Sequence, residues 1–182
     1  GKPVQLTGWL TQSYQSGLVR FRSGRIRAQD YLAVWIDHLA MNAMGHQQCS
    51  HMVGYDRKEG AVHLTFSPLE SAAAAHSTLA ELVRLFYQGM TTPLTYFPNT
   101  ALACVEAGFS RGNWADDEEK SLKKMADTFN DSYLSHGEGA NAYIARIWPE
   151  WSDELAMQVR TLTALVLQAP RLAVKDNQEL EK

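Results

Sequence analysis

The sequence predicts a mixed α/β fold of the α+β kind, a small sheet with one packed helix followed by a helical second half. Three observations predict it. Apolar and polar residues alternate in the first third of the chain, as in strands. Ser67-Pro68-Leu69-Glu70 is a capping box with Pro at the first helical position, a strong helix start. Beyond Pro98, apolar residues recur at the three- and four-residue spacings of helix faces. At 182 residues and 45% hydrophobic, the chain is long enough to bury a core as one domain.

Taken in order, Gln5–Thr11 alternates weakly and reads as a first strand. Ser16-Gly17 supplies a turn, and Leu18-Val19-Arg20-Phe21-Arg22 reads as a second strand. Alternation puts Arg20 and Arg22 on one face, with Val19 and Phe21 opposite, toward a core. Ala28, Tyr31, Leu32, Trp35, Ile36 and Leu39 then form the apolar stripe of a helix. Cys49–Tyr55 and Ala61–Phe66 read as a hairpin around Asp56-Arg57-Lys58-Glu59-Gly60. The helix opened by the capping box carries Ala72, Ala75, Leu79, Leu82, Val83, Phe86 and Met90, and Gly89 ends it.

Pro93–Pro98 must be extended. Short and longer helices follow, from Thr100 to Gly108 and after Asp116-Asp117-Glu118-Glu119 with Leu122, Met125, Phe129 and Tyr133. Another holds Tyr143, Ile144, Ile147 and Trp148. The last follows Ser152, presents Leu155, Val159, Leu162 and Val166, and stops before Pro170. Asp176 to Lys182 is polar and expected to fray. No internal repeat or low-complexity segment interrupts the chain.

Charge is uneven. The net charge is -3, which is not that of a globally basic nucleic-acid binder. Yet residues 1–29 contain no Asp or Glu while carrying Lys2, Arg20, Arg22, Arg25 and Arg27. Cys49 and Cys104 form no CxxC and read as two thiols in a reduced cytosol. No stretch approaches a membrane span and no leader pattern opens the chain, so the expected location is cytoplasmic. The opening Gly-Lys-Pro lacks an initiating Met, which leads us to expect a piece of a longer protein.

Strand, turn, strand and long helix is the order used by PD-(D/E)XK nucleases, of which restriction endonucleases are one kind. In the RecB-type version, a Gly-aromatic-aliphatic-Asp strand precedes an Asp-x-Lys strand, and the acids bind Mg²⁺. Here Gly8-Trp9-Leu10-Thr11 resembles the first motif with Thr11 in place of the Asp. No acid lies between Leu18 and Arg27, and the Asp-x-Lys positions fall on Arg20-Phe21-Arg22 or Ser23-Gly24-Arg25. A guanidinium repels a divalent ion. The chemistry of an active nuclease is missing, and Thr11, Arg20 and Arg22 are its vestigial positions. The same cations, interleaved with Trp9, Tyr14 and Phe21, suit phosphate contacts. A solvated basic face explains them too.

Other candidates carry blander readings. His46 and His51 flank Cys49, and His38 and His63 could approach them, but no zinc signature is present, so we assign no metal. The acids at 116–119 suit a helix dipole. Ser135-His136-Gly137-Glu138-Gly139 lacks the strand and Lys of a phosphate loop and reads as a turn. Trp148-Pro149-Glu150-Trp151 offers two aromatics, Trp148 and Trp151, as interface anchors or core lids.

The ordered segments Leu6-Thr7-Gly8-Trp9-Leu10-Thr11-Gln12, Trp35-Ile36-Asp37-His38-Leu39, Gly89-Met90-Thr91-Thr92-Pro93-Leu94, and Gly137-Glu138-Gly139 with Tyr143, Arg146 and Trp148 resemble the C-terminal part of the RecC family, the gamma subunits of bacterial exodeoxyribonuclease V. The likeness runs from Gln5 to about Leu167. It implies an inactivated restriction-endonuclease-like α/β core at residues 1–70 and a helical extension at residues 71–182 of the same compact domain. It implies partners RecB and RecD and a double-stranded DNA end, in ATP-dependent unwinding and degradation during recombinational repair. It also implies no cofactor here, ATP and Mg²⁺ belonging to the partner subunits. Arg20, Arg22, Arg25 and Arg27 are the expected phosphate-facing residues. The alternative is a purely protein-binding module, and a third reading is a metal-dependent hydrolase using the histidines.

Overall fold

The computed structural model describes residues 4–56, 60–110, 113–132 and 136–176. Lys2, Arg57, Lys58 and Glu59 of the expected turn, Tyr133, Ser135 and residues 177–182 lie outside them. The architecture is mixed α and β. The chain divides into two compact units that interleave in sequence: residues 1–25, 34–80 and 174–182 form one, residues 26–33 and 81–173 the other.

The first unit is built on a five-stranded sheet. Its strands are β1 (Ser13–Tyr14), β2 (Gly17–Phe21), β3 (Ser50–Asp56), β4 (Gly60–Phe66) and β7 (Val174–Asp176), in the spatial order β1-β2-β3-β4-β7. β2 and β3 are parallel, with Leu18 opposite Ser50 and Phe21 opposite Val53. A parallel pair needs a crossover connection, here helix α1 (Ala28–Ala43). The remaining pairs are antiparallel. Leu18, Met52, Leu64 and Phe66 are buried on one sheet face, and Trp35 of α1 stacks obliquely on Phe66 at 6.1 Å.

Residues 5–11 form no strand, contrary to expectation; pairing begins at Ser13. Leu6 and Trp9 are exposed, Trp9 by 94%, so the weak alternation there has no apolar surface to meet. In β2 the alternation holds, but the covered face is the one opposite to that expected. Leu18 and Arg20 face α1, whereas Phe21 is 71% exposed. Alternation assigns sides to a strand, not which side a helix will cover.

The capping box is also overruled. Helix α2 runs Ala72–Gly89, capped by the Ser71 hydroxyl accepting from the Ala74 N–H. Residues 67–69 are held instead by the α1 side chains His38 and Asn42: His38 Nε2 reaches the Ser67 carbonyl, and Leu69 N–H donates to Asn42 Oδ1. Tertiary hydrogen bonds consume the groups a local cap needs.

The second unit contains α3 (Pro98–Ala107), a small β5 (Phe109–Ser110)–β6 (Asn113–Trp114) ribbon, α4 (Glu118–Phe129), α5 (Ala142–Ile147), α6 (Asp153–Thr163) and α7 (Ala169–Ala173). The ribbon and β7 were not anticipated. Nor does Pro170 stop the last helix. A π-type turn at Ala164–Gln168 joins α6 to α7, and its wider spacing accommodates a residue that cannot donate its backbone N–H. The main core is Phe97, Met125, Phe129, Leu155, Ala156 and Val159. A second cluster, Leu85, Leu162 and Val166, packs with Leu32, Leu94 and Tyr96. Ile36, Phe86 and Met90, assigned to buried stripes, are exposed.

Candidate functional site

Arg20 is the centre of the basic N-terminal region. Because β2 turns Leu18 and Arg20 toward α1, its guanidinium meets Asp37 on that helix. Nε and Nη2 donate to Asp37 Oδ2 at 3.0 and 2.7 Å. Nη1 donates to the Thr11 carbonyl and, at 3.2 Å, to Gln12 Oε1. Two residues singled out as vestigial catalytic positions, Thr11 and Arg20, are thus brought together. Asp37, which reading the sequence did not single out, completes the group. A divalent ion does not fit this donor set, because its one carboxylate is already bonded to a fixed cation.

The other arginines differ in setting. Arg22 is half-buried, and its backbone N–H continues the parallel pairing onto the Val53 carbonyl at 2.9 Å. Arg25 and Arg27 are exposed. The Arg27 backbone N–H donates to Asp30 Oδ2 at 2.8 Å, the reciprocal half of a capping box that starts α1. The Arg27 side chain is therefore carried at a fixed helix entry.

Behind Arg20 lies a buried polar chain. His38 Nε2 faces the Ser67 carbonyl at 3.1 Å and Nδ1 faces Ser50 Oγ at 2.8 Å. A carbonyl only accepts, so the ring proton sits on Nε2 and Nδ1 accepts from Ser50. Burial pushes His38 down from the usual 6.5 to about 4. This neutral imidazole stacks on Trp35 at 5.6 Å and orders the α1–β3 packing. It is not a free acid or base for substrate.

In the second unit the Gly137-Glu138-Gly139 motif is a tertiary helix cap. Glu138 Oε2 accepts from the Thr100 N–H and hydroxyl, each at 2.8 Å, and Oε1 accepts from the Asn99 N–H at 3.0 Å. Three donors at the start of α3 are satisfied by one carboxylate, placed to favour the helix dipole. Both glycines are required by crowding: a Cβ on Gly137 would strike the Phe129 carbonyl, and one on Gly139 the Phe129 ring. The acidic run behaves as expected, with Asp117 capping α4 through the Lys120 N–H and Asp116 paired with Arg160. Trp148 and Trp151 are half-buried, packed on Phe97 at 5.2 Å and Phe129 at 4.8 Å. Their remaining ring surface is open.

The histidines do not converge as one group. His38 is on the α1 side of the sheet and His46 is exposed, while His51 and His63 meet on the other side. Neither cysteine is disulfide-bonded. Among the described residues, no helix is long and apolar enough to cross a membrane.

A sequence profile described as "RecC C-terminal domain" matches residues 2–109. The RecBCD enzyme subunit RecC of Escherichia coli strain K12 is 30% identical over 173 residues, 92% of this chain and 14% of that protein. RecBCD enzyme subunit RecC of Buchnera aphidicola subsp. Acyrthosiphon pisum is 27% identical over 146 residues, 78% of this chain and 13% of that one. The chain therefore spans about one seventh of the length of the relatives it matches, and within that span it belongs to the RecC C-terminal domain family.

Proposed function

We propose that this chain is a non-catalytic domain of a cytoplasmic RecBCD-type complex, a restriction-endonuclease-like core without its metal site, which scaffolds assembly with RecB and RecD and touches duplex DNA during recombinational repair. The observation that carries the reading is Arg20. Its guanidinium bonds the Thr11 main-chain carbonyl and the Asp37 carboxylate, so a cation belonging to the protein takes up the one carboxylate beside the residue read as the motif's lost acid, which supports a domain without a metal site. In this reading nucleotide and Mg²⁺ chemistry fall to RecB and RecD.

Within this reading the phosphate contacts rest mainly on the exposed Arg25 and Arg27, because Arg20 is already neutralised by Asp37. Each lost phosphate contact lowers the slope of log affinity against log salt by about 0.9. Arg25→Gln with Arg27→Gln in the reconstituted complex is expected to flatten that slope. An unchanged slope and affinity would remove the DNA role. Cleavage of linear DNA by the purified chain with Mg²⁺ alone would remove the non-catalytic one.

The capture of Arg20 by Asp37 also favours the second reading, a purely protein-binding module, since it leaves fewer cations for DNA. A RecD pull-down repeated with Arg25→Glu and Arg27→Glu separates the two. Lost capture of RecD with an intact salt slope selects protein binding.

A further inference from the structure

His51 and His63 are adjacent in space on the sheet face that α1 does not cover. His51 pairs in register with Thr65, and Val53 with His63, so the two histidines are diagonal neighbours on β3 and β4. His51 Nδ1 and His63 Nε2 are 3.1 Å apart, and the Thr65 hydroxyl is 3.4 Å from the same His51 nitrogen. The His51 ring is also bonded to the Ser16 backbone, so its orientation is anchored from outside the pair. Both side chains are only partly buried, and their neighbours on that face include the exposed Phe21, Val53 and Tyr55.

The spacing is a metal bite. Zinc–imidazole bonds of about 2.0–2.1 Å set two nitrogens on one tetrahedral ion about 3.3 Å apart. Cross-strand geometry already brings these two nitrogens close to that separation, from paired strands rather than from loops. In the metal-free protein one ring N–H bridges the pair. Moving that proton to the far ring nitrogen of His63 frees a second lone pair without any net loss of a proton. The anchoring of a ligand histidine by a backbone group is the usual outer-shell arrangement.

We propose that His51 and His63, with the Thr65 hydroxyl beside them, form a bidentate site for a borderline transition-metal ion such as Cu²⁺, Ni²⁺ or Zn²⁺. Two neutral imidazoles select these ions over Mg²⁺ and Ca²⁺, which require oxygen donors. Among the described residues no third His, Cys, Asp or Glu joins the pair, so solvent or a ligand from outside would complete the coordination. The site is independent of the DNA-contact reading and lies on the opposite sheet face from Arg20.

Titration of the 182-residue chain with Cu²⁺ alone at neutral pH, followed by calorimetry and by histidine ring NMR, tests it. One saturable equivalent is expected, with the His51 and His63 ring signals shifted or broadened first. His51→Gln and His63→Gln are each expected to weaken that event at least roughly tenfold, as loss of one of two ligands should, whereas His46→Gln and His76→Gln leave it within twofold. Millimolar Mg²⁺ should not compete. Circular dichroism of each variant separates lost ligation from lost folding, and an unfolded variant is replaced by Thr65→Val combined with the ring NMR readout. Binding that survives the His51→Gln/His63→Gln double variant, or signals that move first at His46 or His76, overturns the site.

Discussion

The sheet unit and the helical unit solve the same problem with different chemistry. In the sheet unit, α1 is joined to the strands by polar groups: Arg20 to Asp37, His38 to Ser50 and Ser67, Asn42 to Leu69. In the helical unit the core is aromatic and aliphatic, with Phe97 touching Phe129 and Trp148 and Phe129 touching Trp151, and the partly buried Glu138 carboxylate caps a helix end. The contrast teaches where sensitivity lies. Buried polar pairings respond to pH and to the loss of single donors, whereas apolar packing responds to volume.

The largest test of that contrast is Phe97→Ala. Phe97 is 1% exposed and touches both Phe129 and Trp148, so the loss should be about 3–5 kcal/mol in denaturant unfolding, independent of pH. A loss under about 1 kcal/mol would mean the cluster is not a packed core.

His38 gives the next effect and the opposite signature. Its folded pKa of about 4 is below the ordinary 6.5, so the folded state binds fewer protons between those values. The stability contributed by the neutral ring is therefore complete above pH 6.5 and lost as pH falls toward 4, by about 3 kcal/mol in all. His38→Gln should flatten the stability–pH curve across that window. A wild-type curve already flat there would remove His38 as the acid-sensitive group.

Glu138→Ala strands three donors at the start of α3 and should cost about 2 kcal/mol, with Glu138→Gln costing about half as much. Equal losses from both would show that a neutral amide recovers nothing and that the charge carries the cap, whereas a Gln variant at no cost would assign it to hydrogen bonding alone. Smallest is Trp9→Ser. At 94% exposure it should alter stability by no more than about 0.5 kcal/mol, and a larger loss would show that residues 5–11 are packed after all.

Much of this was readable in advance. The β3–β4 hairpin, α1, the Asp117 cap and the Ser152 cap are each encoded within a few neighbouring residues, and the extended stretch after Pro93 ends at Phe97, where Pro98 opens α3. The ordered motifs also pointed to the RecC family, which the comparisons bear out. The misreadings share one cause. Ser67–Glu70 has every local feature of a helix start, yet its backbone is taken by His38 and Asn42, distant in sequence. Phe21 alternates as a core residue should, yet the covered face is that of Leu18. The importance of Asp37 has no local signal, since one acid on a helix is unremarkable until a strand delivers Arg20 to it.

Residue order was enough to set the periodicities, the turns and the basic, acid-free opening, because those depend on steric and electrostatic relations between near neighbours. Which partner each buried polar group finds was settled by folding. Desolvating Arg20, His38 or Glu138 is tolerable only where a distant segment supplies the matching group, and that pairing exists only once strands and helices are assembled.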